Sequence, residues 1–345
     1  MPLRVGIVGA GLMGTRRART AVESGDKVTI VADLDARRAK ACASAVGASA
    51  TDDWTHVVTR GDVDVVVVAT PNKFIKPIAT AAAFSGKHLL CEKPLGRNVD
   101  EAMEIVDAAN RNSVTLKIGF NHRHHLAIRK AHDVVTNGDI GEPFCFRCVY
   151  GHGGRPGYDK EWRGDAELAG GGELLDQGVH VLDLARWFLG EFAAVSGVTP
   201  RWFWDVEPLE DNAFALLRTA SGRVASLHTS WTQWKNRFSL EVLGRDGFVS
   251  VEGLGGSYGT ERLQIARRRP ESGPPEMQDE EFLGPDVSWQ DEWNEFTSAI
   301  REGRPPLGDG VDGLEALRLV AAIYTSARDQ RIVRVQPTVR KETYA

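Results

Sequence analysis

The segment Val5-Gly-Ile-Val-Gly-Ala-Gly-Leu-Met-Gly14 places glycines at 9, 11 and 14, directly after an apolar run and at the start of a helical pattern. No other feature constrains the fold of this chain as strongly. In a G-x-G-x-x-G turn between strand and helix, the first glycine permits the tight turn. The second lets the backbone approach a pyrophosphate, and the third lets helix and strand pack closely. The helix that follows offers free N–H groups and the positive end of its dipole to phosphates. The pattern downstream agrees. Residues 4–8, 27–32, 63–69, 88–91 and 115–120 read as strands, and residues 13–24, 35–46, 75–85 and 99–112 as helices. Such alternation implies right-handed crossovers and a doubly wound parallel sheet. The unbroken valines at 65–68 fit a strand covered on both faces.

After residue 122 the pattern changes. A helix over 126–136 ends at Asn137-Gly138, a strand follows, and residues 151–172 are rich in glycine and charge. A helix is expected over 173–188, then strands at 194–198, 212–219, 223–231, 237–243 and 248–251, the last two joined by a tight turn at Arg245-Asp-Gly247. Runs of strands without intervening helices imply a largely antiparallel sheet. Residues 267–284, which lack periodicity, read as a surface loop, and helices over 289–302 and 310–328 finish the chain. The expected architecture is α/β, in two parts. Residues 1–122 form a Rossmann domain with a parallel sheet, and residues 123–345 an α+β domain with a large, mostly antiparallel open sheet.

Composition narrows the function. The 36 glycines exceed the roughly 24 of an average chain, but they are not periodic, and 42% hydrophobic residues can build real cores. A formal net charge of −5 argues against a general nucleic-acid binder and an electrostatic membrane binder. No run approaches the roughly 18 apolar residues of a membrane span, and the N-terminal residues lack a signal-peptide pattern. A cytoplasmic protein is expected. Four cysteines suggest reduced thiols. Cys145 and Cys148 form a C-x-x-C, but on a strand such positions face opposite ways, which disfavours a shared metal.

Asp33 ends the second strand, 24 positions after Gly9, near the spacing of an acidic residue that binds the adenosine ribose. A carboxylate there would accept from the 2′-hydroxyl and repel a 2′-phosphate, favouring NAD. Arg37 and Arg38, and Arg16 or Arg17 beyond the glycine turn, could hold a phosphate and keep NADP open. Lys93 follows the strand at 88–91, at the carboxyl edge where open α/β sheets bind ligands, and Pro94 biases it towards extended backbone. Its ammonium could stabilise a developing alkoxide; the bland reading is a surface lysine. Asp176 and His180, four apart on a helix, share a face, behind three glycines that allow close approach to a ligand. An imidazole is the natural base for a secondary alcohol, and the bland reading is a structural His–Asp pair. Asp183 reads as structural. Tyr158, Trp162 and Arg163 form an aromatic–cation set suited to a sugar, and Arg123 could serve similarly. His122, His124 and His125 match no zinc spacing, and no metal is expected.

Ala69-Thr-Pro-Asn72, Gly86-Lys-His-Leu-Leu-Cys-Glu-Lys-Pro94, Gly119-Phe-Asn-His-Arg123 and Gly170-Gly-Gly-Glu-Leu-Leu-Asp-Gln-Gly-Val-His-Val-Leu-Asp183 resemble the Gfo/Idh/MocA family of sugar and cyclitol oxidoreductases. The resemblance runs from residue 4 to about 329. It implies an NAD-dependent dehydrogenase in which His180 removes a hydroxyl proton while Lys93 and Asp176 hold the hydroxyl. It implies cofactor contacts at Gly9, Ala10, Gly11, Leu12, Met13, Gly14, Asp33, Thr70, Pro71, Asn72, Glu92, Lys93 and Asn121. Substrate contacts would fall at Arg123, Tyr158, Trp162, Arg163, Asp176 and His180. A homodimer or homotetramer through the C-terminal sheet is expected, and the Trp202/Trp204 and Trp231/Trp234 runs suit such a face. The branch most resembled oxidises a nucleotide- or glycoside-linked hexose at C3 in amino-sugar pathways. Inositol dehydrogenation, NADPH-dependent keto-sugar reduction and NAD-dependent glycoside cleavage are alternatives. Two positions depart from many relatives: Ile75 stands where they carry His, and Thr15-Arg-Arg17 follows the glycine turn. The cluster Gly253, Gly255, Gly256 and Gly259 receives no functional account.

Overall fold

Four of the five residues of β1 (Arg4–Val8) are buried, as expected of a strand with parallel neighbours on both sides. In the computed structural model, which describes residues 1–271 and 273–336, those neighbours are β2 (Lys27–Ala32) and β4 (Val65–Val68). With β3 (Ser49–Thr51), β5 (His88–Cys91) and β6 (Leu116–Ile118) they make a parallel sheet of order β3-β2-β1-β4-β5-β6. This is the dinucleotide-binding order, with its switch point between β1 and β4. The crossovers run through α1 (Leu12–Glu23), α2 (Ala36–Val46), a short α3 (Thr55–Val58), α4 (Ile75–Phe84) and α5 (Val99–Arg111). Asn98 starts α5 by accepting from the Glu101 N–H at 2.9 Å, with Asp100 and Glu101 favourably placed in its first turn.

The chain divides into two compact units. The first contains residues 1–125, and two later segments, Lys160–Gly171 and Asp286–Leu314, join it. The second of these segments carries α9 (Ser288–Glu302). Trp293 and Phe296 of α9 enter the same apolar core as Val5, Ile7, Ala18, Val67 and Leu90. The Trp293 indole donates to Asp26 Oδ2 at 2.8 Å. Nothing local in the sequence reveals this return, because an amphipathic helix advertises an apolar face without naming the core that receives it.

The second unit holds Leu126–Asp159, Gly172–Pro285 and the chain from Glu315 onward. Its sheet comprises β7 (Pro143–Gly151), β8 (Phe192–Val198), β9 (Asn212–Thr219), β10 (Val224–Ser230), β11 (Arg237–Gly244), β12 (Gly247–Glu252), β13 (Glu261–Arg267), β14 (Glu276–Phe282) and β15 (Val333–Arg334). The order is β14-β13-β12-β11-β7-β10-β9-β8-β15, and β7 and β10 run parallel where the other neighbours run antiparallel. Against it lie α6 (Leu126–Thr136) and α8 (Val179–Leu189), while a one-turn α7 (Ala166–Ala169) belongs to the first unit. α10 (Gly310–Asp329) begins in the first unit and continues in the second.

β14 corrects the expected loop over 267–284. Its sequence, Glu-Met-Gln-Asp-Glu-Glu-Phe, is exposed along most of its length, so it carries no apolar alternation. Pairing with β13 holds it, with Arg262–Glu281 at 2.8 Å and Gln264–Asp279 at 2.8 Å across the pair. A charged edge strand of this kind resists pairing with other chains. The other correction concerns the helix expected over 173–188: residues Leu174–Gly178 form a wider π-turn before α8 begins.

Replacing Trp293 by Ala should destabilise the protein by about 3–5 kcal/mol in urea unfolding. It removes the largest side chain that α9 contributes to the first core, together with the bond to Asp26.

Candidate active site

The strand–glycine–helix turn is built for a dinucleotide. A Cβ at Gly14 would lie 1.7 Å from the Gly9 carbonyl oxygen, so only glycine lets α1 start against the turn. A Cβ at Gly11 would meet nothing within 4 Å, which leaves open space above the loop. No side chain caps α1 at Gly11. Asp33 closes the turn from the end of β2: its Oδ2 accepts from Ala10 N at 2.7 Å and its Oδ1 from Asp35 N at 2.8 Å. Both oxygens retain lone pairs, and the residue is half-exposed. Arg37 and Arg38 both lean on Asp35, at 3.5 and 3.7 Å. Leu12 is exposed, and Met13 partly so. Thr70 holds a buried hydroxyl without a partner among the described residues, next to Pro71. The open loop, the carboxylate and this hydroxyl fit a bound dinucleotide. The Asn72 amide donates to Ala169 O at 2.8 Å and thereby ties the segment at 160–171 to the end of β4.

Lys93 lies just past β5, half-buried, and its bond to Pro94 is cis. Beside it, Glu92 accepts from Arg17 Nε at 2.7 Å, and Arg17 Nη1 donates to Glu292 Oε2 at 2.5 Å. Arg17 is fully buried beneath the Trp289 ring at 4.5 Å, with Arg16 on the same ring at 4.8 Å. Burial opposes the Arg17 charge, but the Glu292 and Glu92 carboxylates raise its pKa above the ordinary value. This corrects the expectation that Arg17 could meet a phosphate, since two buried carboxylates hold it. A Cβ at Gly119 would lie 2.8 Å from Arg17 Nη2 and 2.9 Å from Glu92 Oε2, so the ion pair occupies the space a side chain there would need. Lys117 is buried in the same cluster, 3.9 Å from Glu292 and 3.5 Å from Glu295, and burial lowers its pKa.

Two expected contact residues have partners within this unit. Arg123 is buried and pairs with Asp312 at 3.1 Å, while the Asn121 amide reaches Ser288 Oγ at 3.3 Å. Trp162 carries Arg163 over its ring at 4.5 Å.

The second unit resumes at Gly172, the last of three consecutive glycines, and continues into the π-turn and α8, which carry Asp176 and His180, both buried. π-turns inside helices often occur at functional sites. Tyr150 stands edge-on to His180 with centroids 6.5 Å apart, and Tyr258 lies 5.2 Å from Tyr150. Burial raises both phenols, Tyr258 to about 12, so they stay protonated near neutral pH. The loop between β12 and β13 that carries Tyr258 is the glycine cluster at 253–259, so that cluster shapes the wall beside His180. Tyr158 belongs to this unit, unlike Trp162 and Arg163. It is buried against Trp231 at 5.3 Å, His152 at 5.4 Å and Trp204 at 5.8 Å. The loop carrying Trp204 is held by Asp211, which accepts from the N–H groups of Trp202, Phe203 and Trp204 at 2.7–3.2 Å. Burial opposes its charge, and these donors lower its pKa. Among the described residues, no group of three or more His, Cys, Asp or Glu is placed to hold a metal ion.

Sequence reasoning missed Glu210. It is buried beneath the glycine run, and its Oε1 accepts from Leu174 N at 2.9 Å and from the Tyr324 hydroxyl at 2.8 Å, its Oε2 from Gly172 N at 3.3 Å. Burial pushes its pKa up from 4.5 to about 7, against those donors. A lone Glu before a strand carries no sequence signal for such a role. Because the native state holds this proton more tightly than the unfolded chain, stability should fall as pH rises from about 4.5 to about 7 and then level off. Glu210→Gln should remove that component of the slope, measured as melting temperature against pH.

Comparison with known proteins supports this architecture. Residues 3–120 match the family described as "Oxidoreductase family, NAD-binding Rossmann fold", and residues 128–250 the "GFO/IDH/MocA C-terminal domain". A levoglucosan dehydrogenase of Pseudarthrobacter phenanthrenivorans is 32% identical over 234 residues, 64% of this chain and 59% of that protein. An inositol 2-dehydrogenase of Paenarthrobacter aurescens is 34% identical over 266 residues, 73% of this chain and 76% of the relative. The solved structure of a levoglucosan dehydrogenase in complex with NADH superposes with a TM-score of 0.90 at 26% identity, covering 98% of this chain and 100% of the other. The chain belongs to the Gfo/Idh/MocA family of NAD-binding oxidoreductases.

Proposed function

We propose that this protein oxidises a secondary alcohol of a sugar to a ketone, with Lys93, Asp176 and His180 acting on the reacting hydroxyl. The observation that carries the reading is the placement of Asp176 and His180, four residues apart on buried helical backbone directly after three glycines. Lys93, past the carboxyl end of β5, supplies a positive charge for the developing alkoxide. His180 takes the hydroxyl proton, and Asp176, with Lys93, holds the hydroxyl and completes the proton relay. When bound, NAD accepts the hydride. Residues 1–122 take the cofactor through the glycine turn, Asp33 and the Thr70–Asn72 edge, and residues 123–345 supply most of the substrate contacts. The Asp33 carboxylate, held by two backbone N–H groups, favours NAD over NADP.

The substrate we favour is a glycoside- or nucleotide-linked hexose oxidised at C3, in an amino-sugar pathway. The resemblance of the Gly170–Asp176 run and the aromatic wall around Tyr158 support it. Oxidation of an inositol is the second reading, favoured by the inositol dehydrogenase relative. A homodimer or homotetramer through the large sheet fits the exposed Leu216, Val198 and Trp202. A cytoplasmic setting fits four cysteines that all remain free thiols.

His180→Ala and Lys93→Met should each abolish NADH formation while leaving NAD affinity within about threefold, read by absorbance and by cofactor fluorescence titration. Turnover at the wild-type rate by either variant would refute the assignment. The screen should cover levoglucosan, free hexoses, hexose phosphates, nucleotide sugars, inositols and alkyl glucosides. With the best of these, kcat/KM for NAD should exceed that for NADP by at least about tenfold, and Asp33→Ser should narrow the ratio.

A further inference from the structure

Helices begin with N–H groups that have no partner in the helix, and a local Ser, Thr, Asn or Asp commonly accepts from them. The segment before Asp176 offers none, because it is Gly170-Gly-Gly172. One distant residue does this work instead. Glu210 accepts from three consecutive N–H groups: Gly172 through its Oε2 at 3.3 Å, Glu173 through its main-chain oxygen at 3.1 Å, and Leu174 through its Oε1 at 2.9 Å. The fit is close, since a Cβ on Gly172 would lie 2.0 Å from the Glu210 carbonyl oxygen. The clamp passes directly to Asp176, whose N–H donates to Gly172 O at 2.9 Å. From α10, the Tyr324 hydroxyl donates to Glu210 Oε1 at 2.8 Å and fixes the carboxylate's direction.

We propose that Glu210, oriented by Tyr324, is a positioning residue that sets the backbone of the π-turn and so the placement of Asp176 and His180. The inference rests on the reading of those two residues as the proton-handling pair. A local cap would satisfy the same donors without taking a carboxylate out of water, which is costly. What the remote carboxylate adds is a fixed register between the turn and the rest of the second unit. Groups of this kind must hold reacting atoms to a fraction of an ångström, because a displacement of about 1 Å can cost two orders of magnitude in rate.

The test compares wild type with Glu210→Gln, which keeps shape but loses an acceptor, and Tyr324→Phe, which removes only the hydroxyl. Turnover is measured with the sugar that the screen identifies. The titration of the His180 ring is followed by histidine NMR, assigned against the His180→Ala spectrum; this second readout needs no substrate. Folded Glu210→Gln is expected to lose about ten- to a hundredfold in kcat, with KM for NAD within about twofold of wild type, and to shift the His180 titration. Tyr324→Phe should shift both readouts in the same direction by less. Wild-type kcat together with a wild-type His180 titration in folded Glu210→Gln would overturn the proposal. If that variant does not fold, the same result in Tyr324→Phe overturns it. Wild-type turnover by His180→Ala would instead overturn the assignment of the pair on which the proposal rests.

Discussion

A buried guanidinium holds the cofactor-binding unit together. Arg17 comes from the helix that follows the glycine turn, Glu92 from the residue before Lys93, and Glu292 from a helix 275 positions away in sequence. Removing either partner of a buried ion pair commonly costs about 3–5 kcal/mol, because the remaining charge is left without water or counter-charge. The cluster therefore has little freedom to rearrange one element at a time. It joins the helix that follows the glycine turn to the residue before Lys93. It also makes Trp289, stacked over the guanidinium at 4.5 Å, and the whole of α9 part of this unit. The absent side chain at Gly119 is a condition of the same arrangement.

The second unit uses the same device with neutral partners. Two neighbouring acids, Glu210 and Asp211, organise two segments that could not order themselves. Glu210 receives the N–H groups of Gly172, Glu173 and Leu174, where a glycine run offers no cap of its own. Asp211 receives three successive N–H groups of the loop carrying Trp202, Phe203 and Trp204. In both cases a carboxylate stands in for regular hydrogen bonding where the backbone is irregular. The outcome is a turn that presents Asp176 and His180, and an aromatic wall of Tyr158, Trp204 and Trp231.

Much of the architecture was legible residue by residue. The strand at 88–91 and the helix at 126–136 coincide with β5 and α6, because each has clean punctuation: Gly86 before one and Asn137-Gly138 after the other. The edge strand β14 was not legible, since a strand exposed on both faces needs no alternation. Arg16 and Arg17 looked equivalent in sequence, yet one is exposed and the other is fully buried. Arg123, a candidate for a sugar hydroxyl, proves to be paired with Asp312. Tyr158, Trp162 and Arg163, read as one set, divide between two units. The glycines at 253–259 gained a purpose only when Tyr258 was seen against Tyr150.

The sequence alone determined the features whose cause is local. Gly14 is required by the Gly9 carbonyl five residues away, Gly9 by its own positive φ, and the valines of β4 by burial on both faces. The spacing of Asp176 and His180 is local too, since helical backbone brings positions four apart close together. Tertiary structure alone decided which buried charges meet, which helix returns to which core, and which carboxylate caps the turn before Asp176. Those outcomes depend on partners separated by between 36 and 275 positions. No local spacing records such a pairing, because its energy exists only once both groups have left water together.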